Sequence, residues 1–210
     1  MSIKIAPNGN ILLEEKEREK MKKDLEPHFK AILDLLNFDR TDQNLVDTPK
    51  RIAKSFVDEL LVGCYTKEPK ITVFKNTKNV NQMLVVGPIK VKSLCAHHFL
   101  SFTGDAYIGV IPDEILCGLS KLARIVSWFS RRPQIQEELT EMIVNYVQTK
   151  LKPKGCGVYI TAQHNCMCLR GVEEENSNML TCGLRGTFLE DASAKAEFLN
   201  HIELLMKRRK

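Results

Sequence analysis

The chain has 210 residues, 43% hydrophobic and 27% charged, which suits one globular domain with or without a helical extension and excludes a disordered chain. The formal net charge of +5, much of it in Lys207-Arg208-Arg209-Lys210, is too weak a basic field for a dedicated nucleic-acid binder and compatible with an anionic small substrate. No window approaches the ~18 apolar residues of a membrane helix, and Met1-Ser2-Ile3-Lys4 opens no signal peptide. Seven cysteines without an export signal point to reduced thiols in the cytoplasm, with metal binding favoured over a disulfide frame.

Pro7, Asn8, Gly9 and Asn10 mark residues 1–10 as a loose leader. Met21, Leu25, Phe29, Ile32, Leu33 and Leu36 recur at helical spacing and predict a helix over 12–36. A second helix starts with Thr48 as N-cap and Pro49 at the first position, has Ile52, Phe56 and Leu60 on one face, and closes at Gly63. Beyond Pro69 the pattern turns to β. Residues 83–86 and 89–94 are short runs broken by Gly87-Pro88, and the alternation over 102–110 predicts a strand paired with them. Helices follow over 119–131 and 134–150, separated by Pro133; strands over 155–163 and 180–188 and a helix over 192–206 complete the chain. The order is α+β.

Three of the five histidines fall in two short segments, Ser93-Leu94-Cys95-Ala96-His97-His98-Phe99 and Ala162-Gln163-His164-Asn165-Cys166-Met167-Cys168-Leu169-Arg170-Gly171. Each follows a predicted strand. Zinc favours thiolate and imidazole ligands in a tetrahedron, and Cys95-x-x-His98 supplies two from one turn, with Cys166 as a distant third. Three protein ligands leave a position for water, the pattern of a catalytic site. A closed four-ligand site using Cys168 or a second histidine fits the spacing as well. Taken singly, Cys64, Cys117, Cys156 and Cys182 read as buried thiols.

Ser120, Lys121 and Arg124 open a helix with a hydroxyl and two cations on one face, an arrangement suited to phosphate oxygens and equally to a solvated surface. Arg51 and Lys54 share a helix face, and Arg170 lies beside the second metal segment. Glu137, preceded by Gln136, is a carboxylate able to accept two hydrogen bonds from a guanine-like edge.

Together, Asp47-Thr48-Pro49-Lys50-Arg51-Ile52-Ala53-Lys54, Cys95 to His98, Gly118 to Arg124, Gln134 to Thr140 and His164 to Val172 closely resemble the GTP cyclohydrolase I family, from about Leu45 to Phe198. The resemblance implies a leader and helix over 1–44 and a catalytic domain over 45–210. It implies a tunnelling fold, an antiparallel sheet with helices on one face, assembled into a toroidal homodecamer with active sites between subunits. The implied reaction converts GTP and water to 7,8-dihydroneopterin triphosphate and formate, with no nucleic-acid or membrane partner. Carried over by motif, the zinc ligands are Cys95, His98 and Cys166, and His97 and His164 match the catalytic histidines. Glu137 with Gln136 matches the guanine-edge position, and Ser120, Lys121, Arg124, Arg170, Arg51 and Lys54 match positions near the ribose and triphosphate. The chain departs from the family at Ala96, where the pattern reads Cys-Glu-His-His, and at Ser101 and Pro133, where proline and leucine are common. Ala96 keeps open a same-fold protein with an altered substrate, or a non-catalytic zinc-bearing assembly.

Overall fold

Residues 4–5, 11–39 and 41–208 are described by the computed structural model. Residues 1–3 and 6–10 of the expected leader, and Arg209 and Lys210 of the basic tail, lie outside the described residues. Within the leader, β1 (Lys4–Ile5) pairs antiparallel with β2 (Ile11–Leu12). Cα packing divides the chain into two compact units, 1–68 and 69–210. That division falls at Glu68/Pro69, where the sequence turns to β; the 44/45 boundary followed instead the extent of the family motifs.

In the first unit, α1 (Glu15–Leu35) begins with a reciprocal cap in which the Glu14 backbone N–H donates to Glu17 Oε2 at 2.8 Å. Its helical spacing brings the Phe29 ring to 5.6 Å from Phe56 and Lys22 to 2.6 Å from Asp58. None of its residues is buried, and Ile32 and Leu36 of the expected apolar face are exposed. The second helix is in three parts: α2 (Thr48–Lys54), a π-helical stretch Ser55–Leu60, and α3 (Val62–Tyr65). Its N-cap is Asp47, because Thr48 already has helical partners and donates its hydroxyl to the Asn44 carbonyl at 3.3 Å. Gly63 lies inside α3 rather than at a helix end.

The second unit begins with β3 (Val73–Lys75), then β4 (Leu84–Cys95) and β5 (Ser101–Ile111). β6 (Ile115–Cys117), α4 (Leu119–Ser130), β7 (Pro133–Gln134) and α5 (Gln136–Leu151) follow. β8 (Gly155–His164), α6 (Asn165–Cys168), β9 (Met179–Gly186), α7 (Thr187–Glu190) and α8 (Ala192–Lys207) complete it. β7, β4, β5, β8 and β9 form one sheet in that order, and β3 pairs with β6. The chain is α+β, as its element order implies. The two runs flanking Gly87-Pro88 are one strand whose register shifts between Val86 and Ile89, since proline offers no ladder donor.

Two features differ from the implied layout. The sheet is not purely antiparallel, because β7 runs parallel to the end of β4. The helices are not confined to one face. Phe102, Ala106, Ile108, Val158 and Ile160 pack with Leu122, Ile125, Leu139, Ile143 and Val147 of α4 and α5. The opposite face carries Tyr107 and Leu184, which pack with Phe188, Phe198 and Ile202 of α7 and α8. Gly109 and Gly157 make room there: a Cβ on Gly109 would lie 2.6 Å from the Phe198 ring, and one on Gly157 2.8 Å from Phe188. Each face thus excludes water from its own apolar cluster. Among the described residues no helix is long and apolar enough to cross a membrane.

Candidate metal centre

Cys95 is the last residue of β4, and the chain reverses immediately beyond it. The Cys95 N–H donates to the Leu100 carbonyl at 2.8 Å and the Phe99 N–H returns to the Cys95 carbonyl at 2.9 Å, closing a tight connection to β5. His97 and His98 occupy that connection and are exposed. It is braced from beneath by buried Gln134, whose Nε2 donates to Ser93 Oγ at 3.0 Å and to the Phe129 carbonyl at 2.8 Å. The Ala96 N–H donates to the Gln134 carbonyl at 3.2 Å. Pro133 therefore starts a strand that supports the Cys95 turn, beyond merely separating two helices.

The other segment arrives from β8, the strand beside β5. His164 ends β8, and the short α6 carries Cys166 and Cys168. Asn165 Nδ2 donates to Ser101 Oγ at 2.8 Å, tying α6 to the start of β5. The ligand atoms of Cys95, His98 and Cys166 then lie within 4.8 Å of one another. Cys168 is buried outside that group, so among the described residues it holds three donors. Burial, and after it the neighbouring Cys95, hold the Cys166 thiol above its ordinary range. His97 Nδ1 stands 3.7 Å from Cys95 Sγ, and Arg170 NH1 donates to His98 Nε2 at 2.9 Å.

His164 is held on two sides. Its ring stacks on Phe102 with centroids 4.6 Å apart and planes 8° from parallel, and its Nε2 lies 2.9 Å from Gln136 Oε1. Burial lowers its pKa from the ordinary histidine value, and the charge of Glu137 opposes that shift. Glu137 itself is exposed. Gln136, expected beside Glu137 on a guanine edge, is instead fully buried with its amide engaged inside the protein.

The second unit does not gather all of its own candidate residues at one place. The start of α4, with Ser120 and Lys121, packs through Leu119 beside Leu84 and Val86, at the opposite end of β4 from Cys95. Strand from Val86 to Cys95 spans roughly 30 Å at ~3.3 Å per residue. Arg124 is exposed one turn further along α4. Arg51 and Lys54 lie exposed on α2 in the first unit, with Arg51 NH2 3.5 Å from Asp47. Of the four cysteines read as isolated, Cys156 is buried and Cys64 and Cys117 half-buried, whereas Cys182 is exposed.

The family profile of GTP cyclohydrolase I matches residues 25–203. The chain belongs to the GTP cyclohydrolase I family. GTP cyclohydrolase 1 of Wigglesworthia glossinidia brevipalpis is 45% identical over 173 residues, 82% of this chain and 80% of that protein. GTP cyclohydrolase 1 of Blochmanniella pennsylvanica is 41% identical over 182 residues, 86% of this chain and 82% of that protein. Among solved structures, the archaeosine synthase QueF-Like in the apo form superposes with a TM-score of 0.38 at 14% identity, covering 57% of this chain and 97% of that one.

In the sequence Phe102 reads only as a strand residue and Thr140 only as the end of a motif, and Thr181 has no signal at all, although the two threonines complete the surroundings of Gln136. Thr181 Oγ1 accepts from Gln136 Nε2 at 3.0 Å and lies 2.7 Å from Thr140 Oγ1. The available signal was partial: Phe102 alternates with Gly104 and Ala106 on the buried face of a predicted strand, but only the pairing Phe102↔His164 makes it a neighbour of the site.

Proposed function

We propose that this GTP cyclohydrolase I family member hydrolyses and rearranges GTP to 7,8-dihydroneopterin triphosphate and formate at a zinc ion held by Cys95, His98 and Cys166. The observation that carries the reading is the convergence of this Cys-His-Cys group with His97, His164 and Glu137 at one corner of the sheet. The donor set fits zinc, since two thiols and an imidazole are soft and borderline ligands, and three of them leave a position open. Bound there, zinc supplies Lewis-acid polarisation and a water nucleophile at neutral pH.

The chain's own residues supply the rest. The exposed Glu137 carboxylate accepts two hydrogen bonds from the guanine N1–H and 2-amino group, fixing which ring edge turns away from the metal. His164, clamped by Phe102 and Gln136, and His97, beside Cys95, exchange protons with the ring nitrogens as the imidazole portion opens and formate leaves. Arg170 presents positive charge at the His98 side of the group. Ser120, Lys121, Arg124, Arg51 and Lys54 bind the ribose and triphosphate. With the α4 start at the far end of β4, Ser120 and Lys121 serve the centre of a neighbouring subunit. The tunnelling fold closed into a toroidal homodecamer provides that arrangement. Seven free cysteines accord with a cytoplasmic setting.

The test is to incubate zinc-loaded protein with GTP and assay formate and, after oxidation, a fluorescent pterin. Both products are expected; neither product at one zinc per chain would overturn the proposal. Ala96 supports a second reading, a zinc-bearing assembly without this activity or with another purine or pterin substrate, since a carboxylate beside the metal would orient its neighbours. Under that reading Ala96→Glu creates GTP turnover that the natural chain lacks.

A further inference from the structure

Gln136 is wholly buried at the start of α5, yet it carries a polar amide with two donors and an acceptor. Its Nε2 faces the Ile160 carbonyl at 3.2 Å, the Met179 carbonyl at 3.1 Å and Thr181 Oγ1 at 3.0 Å. Backbone carbonyls only accept. Turning the amide over would set its oxygen against two carbonyl oxygens in a dry interior, so the orientation is fixed by the two strands beneath it. Oε1 is therefore the atom 2.9 Å from His164 Nε2. An amide oxygen also only accepts, so that bond requires a proton on Nε2.

We infer that Gln136 is the positioning residue that fixes His164 as the Nε2–H tautomer, leaving Nδ1 as the nitrogen that exchanges a proton with substrate. The information runs from β8 and β9 through Gln136 into the imidazole. Thr140 extends it: its hydroxyl lies 2.9 Å from the Gln136 carbonyl and 2.7 Å from Thr181 Oγ1, so the amide is held from both its backbone and its tip. Phe102 stacking blocks one ring face and restrains rotation of the imidazole about its axis. Together these contacts pre-set which nitrogen is free before substrate arrives, as an orienting partner does for a general base elsewhere. This assignment rests on the proposed reaction only for the use of Nδ1; the tautomer itself is independent of it.

The tautomer is read directly by neutron diffraction from crystals of the zinc-loaded, deuterium-exchanged protein grown above neutral pH. A deuteron on Nε2 with bare Nδ1 is expected; a deuteron on Nδ1 with bare Nε2 would overturn the assignment whether or not the protein turns over GTP. The near-isosteric Gln136→Met removes the acceptor. With zinc content unchanged, kcat for formate release is expected to fall about 100-fold with KM within about twofold. An unchanged kcat, or a rise in KM alone, would reject positioning through His164. Should Gln136→Met fail to fold, the diffraction result on the natural chain still decides.

Discussion

Cys166 sits in a four-residue helix that Asn165 anchors to Ser101, so its thiol is aimed by a hydrogen bond on the neighbouring strand. Replacing that thiol by a hydroxyl keeps the anchor and exchanges a soft ligand for a poor one. Cys166→Ser is expected to drop zinc from about one per chain to under about a tenth, with formate release lost in proportion. Elemental analysis after dialysis, with circular dichroism to establish the fold, checks this; full zinc retention would remove Cys166 from the ligand set. Cys95 and His98 were legible in the sequence because their spacing is local chemistry, whereas Cys166, in a distant segment, stood apart from Cys168 only through the family resemblance. Ser101, Phe102 and Thr181 were not, because their relation to the site is set by strand register. Phe102 meets His164 only through the β5–β8 pairing, and Thr181 meets Gln136 only through β9 beside β8.

At the scale of elements, long periodic segments were readable and short ones were not. α4, α5 and α8 follow from apolar spacing, whereas β7 and α6 have two and four residues and no periodicity to show. Yet those two short elements brace the Cys95 turn and carry Cys166. The core between β8 and α5 makes a separate prediction. Cys156 is fully buried, with its thiol 3.4 Å from Gln148 Oε1, and burial pushes its pKa from 9.0 to about 12. Above pH 9 the unfolded chain loses this proton while the folded chain keeps it. Stability from this group is therefore present below pH 9 and lost as pH rises toward 12, at roughly 1.4 kcal/mol per unit. Cys156→Ala costs about 1 kcal/mol at neutral pH, and that deficit should shrink and then reverse on going to pH 11. Urea unfolding of both proteins across this range measures the difference, in which lysine and tyrosine titration cancels; parallel curves would contradict it.

For the molecule as a whole, the distribution of candidate residues carries more than any one of them. Cys95, His98 and Cys166 are gathered at one end of β4, and Ser120 and Lys121 at the other. Apolar side chains also remain uncovered on the single chain, among them Leu35 at 81% exposed and Val172 at 75%. Both facts suit a closed ring in which each site draws on two subunits. The decisive measurement uses two inactive chains. Cys166→Ser lacks a metal ligand and Lys121→Glu lacks a phosphate cation, so each alone should release no formate. If a site takes Cys166 from one chain and Lys121 from its neighbour, random co-assembly makes about one site in four fully natural. Co-refolded mixtures should then regain about a quarter of the natural rate per site, while the same chains folded separately and then mixed without subunit exchange should stay inactive. If both residues serve the same chain's site, every site in the mixture carries one lesion and no activity returns. Activity in the mixture thus reports which chain supplies each end of the substrate, independently of the number of subunits assembled.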